Sequence, residues 1–369
     1  PRVSGVAILV VGILCISAAA GLAVLKSRKV APAPVVKTFT LKTSVEDVRP
    51  PNRSEMRLEF YRHEVEPKIA ETDQLNRESA ERCISRLGRQ LDQYRYGIEP
   101  FVEDLTSVKT RLGIVRRMPA DWWKKDGRVE DYVQQKFESH LFSEKELTDD
   151  VAGILEAFRA EVDANQVRMI LGIRASLDSA DLPEVEMGDY TEFLESVADQ
   201  LQNYSSDQGV NSVQNAVTVL ILSEAGGYAA VTVASGVIAR VGAVAATTAA
   251  TAGGATAGAS AAGAGGGSLG GPVGTAVGLG VGLVIGLAID WWMTERFEDE
   301  LTTNMNRYFD RLEIAILGPT VSHPLATDSK RTASSQNVRS LGLAMALPKI
   351  CDQLKSAYQT RFRQQIVDV

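Results

Sequence analysis

The feature that most constrains this chain is a run of small and aliphatic residues at 225–289, in which Arg240 carries the only formal charge. A flexible linker rich in Gly and Ser would lack the many Val, Leu and Ile residues found here. Each glycine weakens a helix in water by roughly 1 kcal/mol relative to alanine, whereas a bilayer enforces helical hydrogen bonding. The composition therefore predicts an apolar helical hairpin in a membrane, over residues 223–292.

The glycines of this hairpin recur in a regular order. One row has a glycine at every fourth position, and a helix places residues four apart on one face. Such a face lets another backbone approach closely, as in small-xxx-small contacts between transmembrane helices. The row predicts helix packing and oligomer contacts through Gly270, Gly274, Gly278, Gly282 and Gly286.

The predicted hairpin has two unequal arms, separated by a break at 262–272 where glycine is densest. The second arm, 273–289, is apolar enough to cross a bilayer. Trp291 and Trp292 follow it and are expected to lie at the membrane interface. Helical spacing continues beyond them, which predicts one long helix over 273–317.

The first arm, 225–261, is dominated by alanine, threonine and glycine, so its insertion into lipid would be marginal. Arg240 lies near its middle, where a charge facing lipid is costly. We expect Arg240 to line a pore or a water-filled crevice, to meet a partner, or to lie at the interface. In an alternative interpretation, the first arm packs against protein and is not embedded in the membrane.

A second apolar run, 3–25, has 23 residues without a charge, and about 20 suffice to cross a bilayer. It predicts an N-terminal transmembrane anchor over 1–29, with a cleavable signal peptide as the alternative. Residues 30–52 form a linker containing prolines. Basic residues after the anchor favour a cytoplasmic body, whereas the acidic stretch 290–300 favours the outside. We predict a bacterial inner-membrane protein whose body lies on the periplasmic or external side.

Residues 53–222 are predicted to form a helical soluble domain. Its clearest signal is an apolar seam over 84–115 with alternating spacings of three and four residues. Pro100 predicts a kink near Gly97. The seam fits an oligomeric coiled coil and an intramolecular bundle equally well. The seam residues assigned to packing are Ile84, Leu87, Leu91, Leu105 and Leu112.

Further amphipathic helices complete the predicted fold. One follows Asp150, with an apolar face that runs from Val151 toward Leu171 and Leu177. In the C-terminal region, 293–369, the Gly-Pro pair at 318–319 ends one helix, and the last helix covers 347–366. The expected fold is an all-α membrane protein with an N-terminal anchor, a coiled-coil or bundle region, and an apolar hairpin that continues into a long helix.

The sequence offers little for catalysis or for ligand binding. The three histidines and three cysteines lie far apart, so we predict neither a metal site nor another cofactor. Cys83 and Cys351 are expected to be buried apolar side chains, although they could pair in an oxidising space. A dinucleotide-type glycine pattern at 265–270 lacks the preceding strand that would support it. The net charge of −7 argues against nucleic acid as a partner.

Because no catalytic motif is present, we expect the protein not to be an enzyme. A helical body that carries an apolar hairpin is similar in outline to α-helical pore-formers and glycine-zipper membrane proteins. That resemblance is general and assigns no residue a role. The predicted function is a membrane-anchored structural subunit whose partners are the lipid bilayer and further copies of the chain or other membrane proteins. The alternative is an oligomeric α-helical pore.

Overall fold

The fold is described here from a computed structural model, and every residue it describes belongs to the compact unit Pro51–Val369. Nearly all of those residues are helical and none is in a strand, which confirms the all-α prediction for this part of the chain. The described residues are 52–124, 128–180, 182, 185, 190–206, 213–222, 226–251, 277–278, 280–284, 297–318 and 342–368.

Eleven α-helices build this part of the chain, together with short helical stretches at 277–278 and 280–284. They are α1 Arg53–Phe60, α2 Glu66–Arg95, α3 Ile98–Thr106, α4 Val108–Lys124, α5 Arg128–His140, α6 Glu144–Ser179, α7 Tyr190–Ser206, α8 Val213–Leu222, α9 Gly226–Thr251, α10 Phe297–Leu317 and α11 Leu343–Ile366.

Helices α1 and α2 are joined by a π-helical turn at Tyr61–Val65, and the backbone stays helical throughout. Pro67, in the first turn of α2, explains the turn. Its ring has no N–H to donate to the carbonyl of His63 and would clash with that carbonyl, so the helix widens locally. The joined helix then extends over roughly 65 Å at 1.5 Å per residue.

Helix α2 lies at the centre of the bundle and packs most extensively against α6 and α11, with further contacts to α10. The predicted seam explains this position, because Leu87 and Leu91 are buried and Ile84 is half-buried against the core. Leu105, on α3, is buried as well. These residues are therefore packed within one chain, as the intramolecular alternative expected.

The predicted interruption near Gly97 is observed, since α2 ends at Arg95 and α3 begins at Ile98. A Cβ atom at Gly97 would collide with the carbonyl oxygen of His140, so the close approach of α5 requires glycine here.

The second half of the seam departs from the prediction. Val108 is 75% exposed and Leu112 is 59% exposed, so neither fills the core. The reason is local, because Ser107 adopts an extended conformation and ends α3. The chain then starts α4 in a new direction, and the apolar spacing no longer meets the same partner surface.

Helix α6 starts at Glu144, earlier than the start after Asp150 that sequence analysis predicted. The Ser143 hydroxyl accepts a hydrogen bond from the Glu146 N–H at 3.1 Å, which completes a capping box with the Glu146 carboxylate. The predicted face at Val151 is buried, as is Leu177, but Leu171 is 60% exposed. The buried face continues instead through Met169 and Ile173, because a helical period of 3.6 residues rotates Leu171 away from it.

Buried polar side chains tie α2 to its two main neighbours. Asp73 is 8% exposed and pairs with Lys355 of α11 at 3.0 Å and with Arg77 at 3.2 Å. The Asn165 amide of α6 donates to the Asn76 side-chain oxygen at 3.0 Å. Buried polar groups are costly when unpaired, so these bonds favour one register of α2 against α6 and α11.

In the C-terminal region the helices end and begin close to the predicted residues. Helix α10 ends at Leu317, and Gly318 adopts a positive φ of 96°, which glycine tolerates best. Helix α11 starts at Leu343, a few residues before the predicted start, and its predicted apolar positions are buried. The prediction of one long helix from 273 to 317 depends on residues 285–296, which lie outside the described ranges.

The structure bears on the membrane prediction in one respect. Within the described residues, no helix combines the length and the apolar composition needed to cross a bilayer. The predicted anchor, 1–29, and the linker up to residue 51 lie outside those residues.

Helices α3, α4 and α5 pack on one another around a polar cluster. One oxygen of Asp104 accepts hydrogen bonds from Lys136 and from the His140 ring, each at 2.8 Å, and the other accepts from Thr110 at 3.0 Å. Partial burial alone would raise the pKa of Asp104, but these three hydrogen bonds outweigh it and lower the pKa to about 2.

We expect Asp104→Asn to lower the free energy of unfolding by about 1–2 kcal/mol at neutral pH, because it removes charge-assisted hydrogen bonds. The folded-state pKa lies below the unfolded value of about 3.9, so this stabilisation is complete above about pH 5 and is lost as the pH falls toward 2. Urea unfolding followed by circular dichroism at pH 7 and pH 3 tests this. The exposed carboxylate of Asp92 provides the control, as Asp92→Asn. Equal acid sensitivity in wild type and Asp104→Asn would contradict the assignment.

Candidate functional site

The candidate site is the place where both arms of the predicted hairpin meet the bundle. It consists of residues 226–239 of α9 and of the helical stretches 277–278 and 280–284. We call these residues the hairpin base. Sequence analysis assigned membrane contact to the whole hairpin, 223–292, with 273–289 as the arm able to cross the bilayer. Val277, Val281 and Val284 of that arm are instead buried in the bundle core.

The first arm is attached to the bundle along one face of α9, which packs against α6, α8 and α10. Half of the buried residues on this face are alanines, so the helix backbone can lie close to its neighbours. For these residues the structure agrees with the alternative in which the first arm packs against protein. The buried face comprises Ala229, Ala230, Val233, Ala234, Val237 and Ile238.

The opposite face of α9 is open to solvent and has little polar character. Tyr228 is 80% exposed and Val231 is 41% exposed, and Thr232 and Gly236 lie beside them on the same face. Exposed apolar side chains on a helix with so few charges fit a surface that meets an apolar partner or lipid.

The second arm also enters the core. Val277, Val281 and Val284 are each at most 5% exposed. Between them, Gly280 packs against Phe137 of α5, where an added Cβ atom would lie 2.5 Å from the ring carbon Cε2. The absence of a side chain at residue 280 is therefore what allows the second arm to dock.

Phe137 belongs to an aromatic cluster that joins three helices and the loop that follows α5. Its ring lies 5.8 Å from Phe101, 5.3 Å from Phe142 and 6.2 Å from Tyr308, with near-perpendicular ring planes. Such edge-to-face arrangements hold each ring in a defined orientation. Phe137 is fully buried, so it cannot move aside to make room at residue 280.

The helices on either side of the hairpin are neighbours, because α9 packs against α10. This arrangement fits the predicted hairpin topology, since the segment 252–296 connects two helices in contact.

The predicted glycine row is only partly within the described residues. Gly278 is half-buried and Gly282 is buried, both beside the bundle. The other three members, Gly270, Gly274 and Gly286, lie outside the described residues, as do Trp291 and Trp292. Arg240 lies on α9, but its side chain is outside the described part.

Sequence analysis did not single out Gly280 as a packing residue. It lies midway between Gly278 and Gly282, and therefore on a different helix face from the row. The sequence signal that could have identified this contact is the run of glycines at every second position, Gly278, Gly280 and Gly282. It indicates that backbone must approach from more than one side, but it does not say which aromatic ring occupies the space.

The cysteines have no role in reactive chemistry at this site. Cys83 and Cys351 are free thiols in the core, as the buried-side-chain interpretation expected. Burial raises the pKa of each thiol to about 12, so very little thiolate is present at neutral pH. Across the described ranges, no group of three His, Cys, Asp or Glu side chains is placed to hold a metal ion.

Comparison with known proteins identifies no relative: no family model matches the chain, and no match is found among curated proteins or solved structures. The site must therefore be interpreted from its own geometry.

We predict that Gly280→Ala destabilises the protein and that Gly88→Ala does not. Both residues are helical glycines, so both variants gain helix propensity, but Gly88 has nothing within 4 Å of an added Cβ atom. The clash with Phe137 should make Gly280→Ala about 1–3 kcal/mol less stable than Gly88→Ala, measured by urea unfolding in mild detergent. Equal stability of the two variants would show that residue 280 does not dock against Phe137.

Proposed function

We propose that this protein is a membrane-anchored, non-enzymatic structural subunit. Its helical bundle is the rigid body, and residues 3–25 tether it to a membrane. The chain between the two halves of the hairpin base, 240–276, contacts the bilayer beside further subunits. The bundle lies on the periplasmic or external side of a bacterial inner membrane.

The observation that carries this proposal is the attachment of both hairpin arms to one bundle. Six buried residues of α9 hold the first arm, and Gly280 and three valines hold the second. A hairpin fixed at both ends of its base presents its middle as a single unit.

The composition of the middle of the hairpin favours a packing role. Residues 240–276 consist almost entirely of glycine, alanine, serine and threonine, with few large aliphatic side chains. Such a segment gains little from insertion into lipid by itself, but it lets helices approach one another closely within a membrane. This favours a structural subunit over a protein that inserts independently.

The polar chemistry of the bundle also supports a structural role. Some partnered charges lie between helices, where Arg95 of α2 binds Asp310 of α10 at 2.9 Å and Arg82 binds Glu161 of α6 at 2.7 Å. These contacts join elements of the bundle, although Arg82 also lines a surface cavity of about 450 Å³. We therefore assign them to assembly of the bundle and not to catalysis.

Labelling with an environment-sensitive fluorophore tests the membrane contact. The full chain carries Cys15→Ser, while the buried Cys83 and Cys351 remain as poorly reactive thiols. A nitrobenzoxadiazole label on Leu269→Cys should be quenched by nitroxide lipids after reconstitution into vesicles. The same label on Glu71→Cys, an exposed position of α2, should not be quenched. The proposal fails if both labels report water.

A second candidate function is an oligomeric α-helical pore, in which several hairpins surround a lumen. The exposed apolar face of α9, with Tyr228 and Val231, favours it, because this helix leads directly to Arg240. Arg240 would then face water and select against cations.

Reconstitution in planar bilayers distinguishes the pore from the structural subunit. A pore should conduct, and Arg240→Glu should shift its selectivity toward cations. Arg116→Glu, an exposed charge reversal on α4, should leave that selectivity unchanged. Silence at all voltages, together with quenching of the label at residue 269, would exclude the pore and retain the structural subunit.

A further inference from the structure

Helix α6 has an apolar face that points away from the bundle. Leu171 is 60% exposed, Val167 is 39% exposed, and a Cβ atom at Gly153 would have nothing within 4 Å. The exposed apolar positions recur with spacings of four and three residues, which is the pattern of a helix-packing seam. We call this surface the α6 outer face; it comprises Gly153, Ala157, Ala160, Ala164, Val167 and Leu171.

The outer face is separate from the contacts that build the bundle. Helix α6 uses its other side to pack against α2 and α9, through Leu155, Phe158, Val162 and Ile173 among others. Packing within the bundle therefore uses only one of the two apolar faces of α6. Exposed aliphatic side chains at heptad spacing are typical of a surface that pairs with another helix.

We infer that the α6 outer face binds the same face of a second copy of the chain, with the two helices antiparallel. The residues are graded in size, because the first four are glycine or alanine and the last two are valine and leucine. A two-fold axis between Ala164 and Val167 would place Leu171 opposite Ala160 of the second copy. The same axis places Val167 opposite Ala164 of the second copy, so each large side chain meets a small one.

A parallel pair would not achieve this fit. It would place Leu171 against Leu171 of the second copy and Gly153 against Gly153 of the second copy. The helices would then be crowded at one end and separated at the other, with a loss of packing contacts along the seam. Size complementarity therefore favours the antiparallel arrangement.

The flanking charges favour the same arrangement. With the two-fold axis between Ala164 and Val167, Arg168 lies beside Glu161 of the second copy on one flank, twice by symmetry. Arg168 is exposed, and Glu161 already carries Arg82 as a neighbour at 2.7 Å. A parallel pair would instead bring Glu156 toward Glu161 of the second copy. The same axis places Arg174 opposite Ala157 of the second copy, and Asp163 lies on the opposite flank of the seam.

This inference extends the proposed structural subunit, since it names a second copy as one partner and α6 as the surface. It rests on the proposed self-association but not on the membrane contact of the hairpin. The label at residue 269 reports membrane contact whether or not two copies pair, so the two ideas can fail separately.

Disulfide cross-linking of full-length chains in mild detergent tests the antiparallel pairing. Two Cys15→Ser chains are prepared, one with Ala160→Cys and one with Leu171→Cys. In an antiparallel dimer each new cysteine lies about 16 Å along the axis from its own copy across the interface, beyond the roughly 7 Å that a disulfide allows. Each chain alone should therefore remain largely uncross-linked, whereas an equimolar mixture should form the covalent dimer. Cross-linking of Ala160→Cys alone, or none in the mixture, would overturn the inference.

Light scattering provides a second readout that does not depend on cysteine chemistry. Leu171→Lys should weaken the dimer at least about tenfold, because each dimer loses two buried leucines and gains two lysines in an apolar seam. Val219→Lys on α8 is the matched control, since Val219 is also 60% exposed, and it should leave the dimer intact. Dissociation by both variants or by neither would argue against the α6 outer face.

Discussion

The burial of α2 on several sides is the constraint on which the rest of the structure depends. Its apolar seam, including Leu87 and Leu91, packs between α6 and α11. Asp73 and Asn76 are buried in the same helix, where Lys355 pairs with the Asp73 carboxylate and the Asn165 amide donates to the Asn76 side-chain oxygen. Apolar burial provides most of the driving force, and the polar pairs limit the number of registers that can use it.

Helix α6 transmits this constraint to the candidate site. One side of it packs against α2, and α9 packs beside that contact, so the position of the hairpin base follows from the α2–α6 register. Phe137 fixes the second arm in the same way, through an aromatic cluster that reaches Tyr308 of α10. The described parts of both predicted arms are therefore attached to the bundle, and the outer face of α6 stays largely exposed.

Patterns with a period of 3.6 residues show that a helix has a buried face, but neighbouring helices decide which residues fill it. The seam prediction was correct from Leu87 to Leu105, within helices that share a partner surface. The prediction that the buried seam continues to Leu112 was wrong, because the chain changes direction at Ser107. Leu171 is exposed, and not buried as predicted, for a related reason. The apolar residues of α6 form two faces, and sequence analysis merged them into one.

The sequence by itself determined that the described part is helical, where α3 begins after Gly97, and that α10 ends before Gly318. The Ser143 cap of α6 is equally local, but sequence analysis did not identify it. These are local effects of backbone freedom, side-chain capping and hydrogen bonding between residues close in the chain. Only the tertiary structure decided that Gly280 meets Phe137 and that both hairpin arms dock on one bundle. Contacts between residues far apart in the chain depend on how helices orient, and no local pattern specifies that orientation.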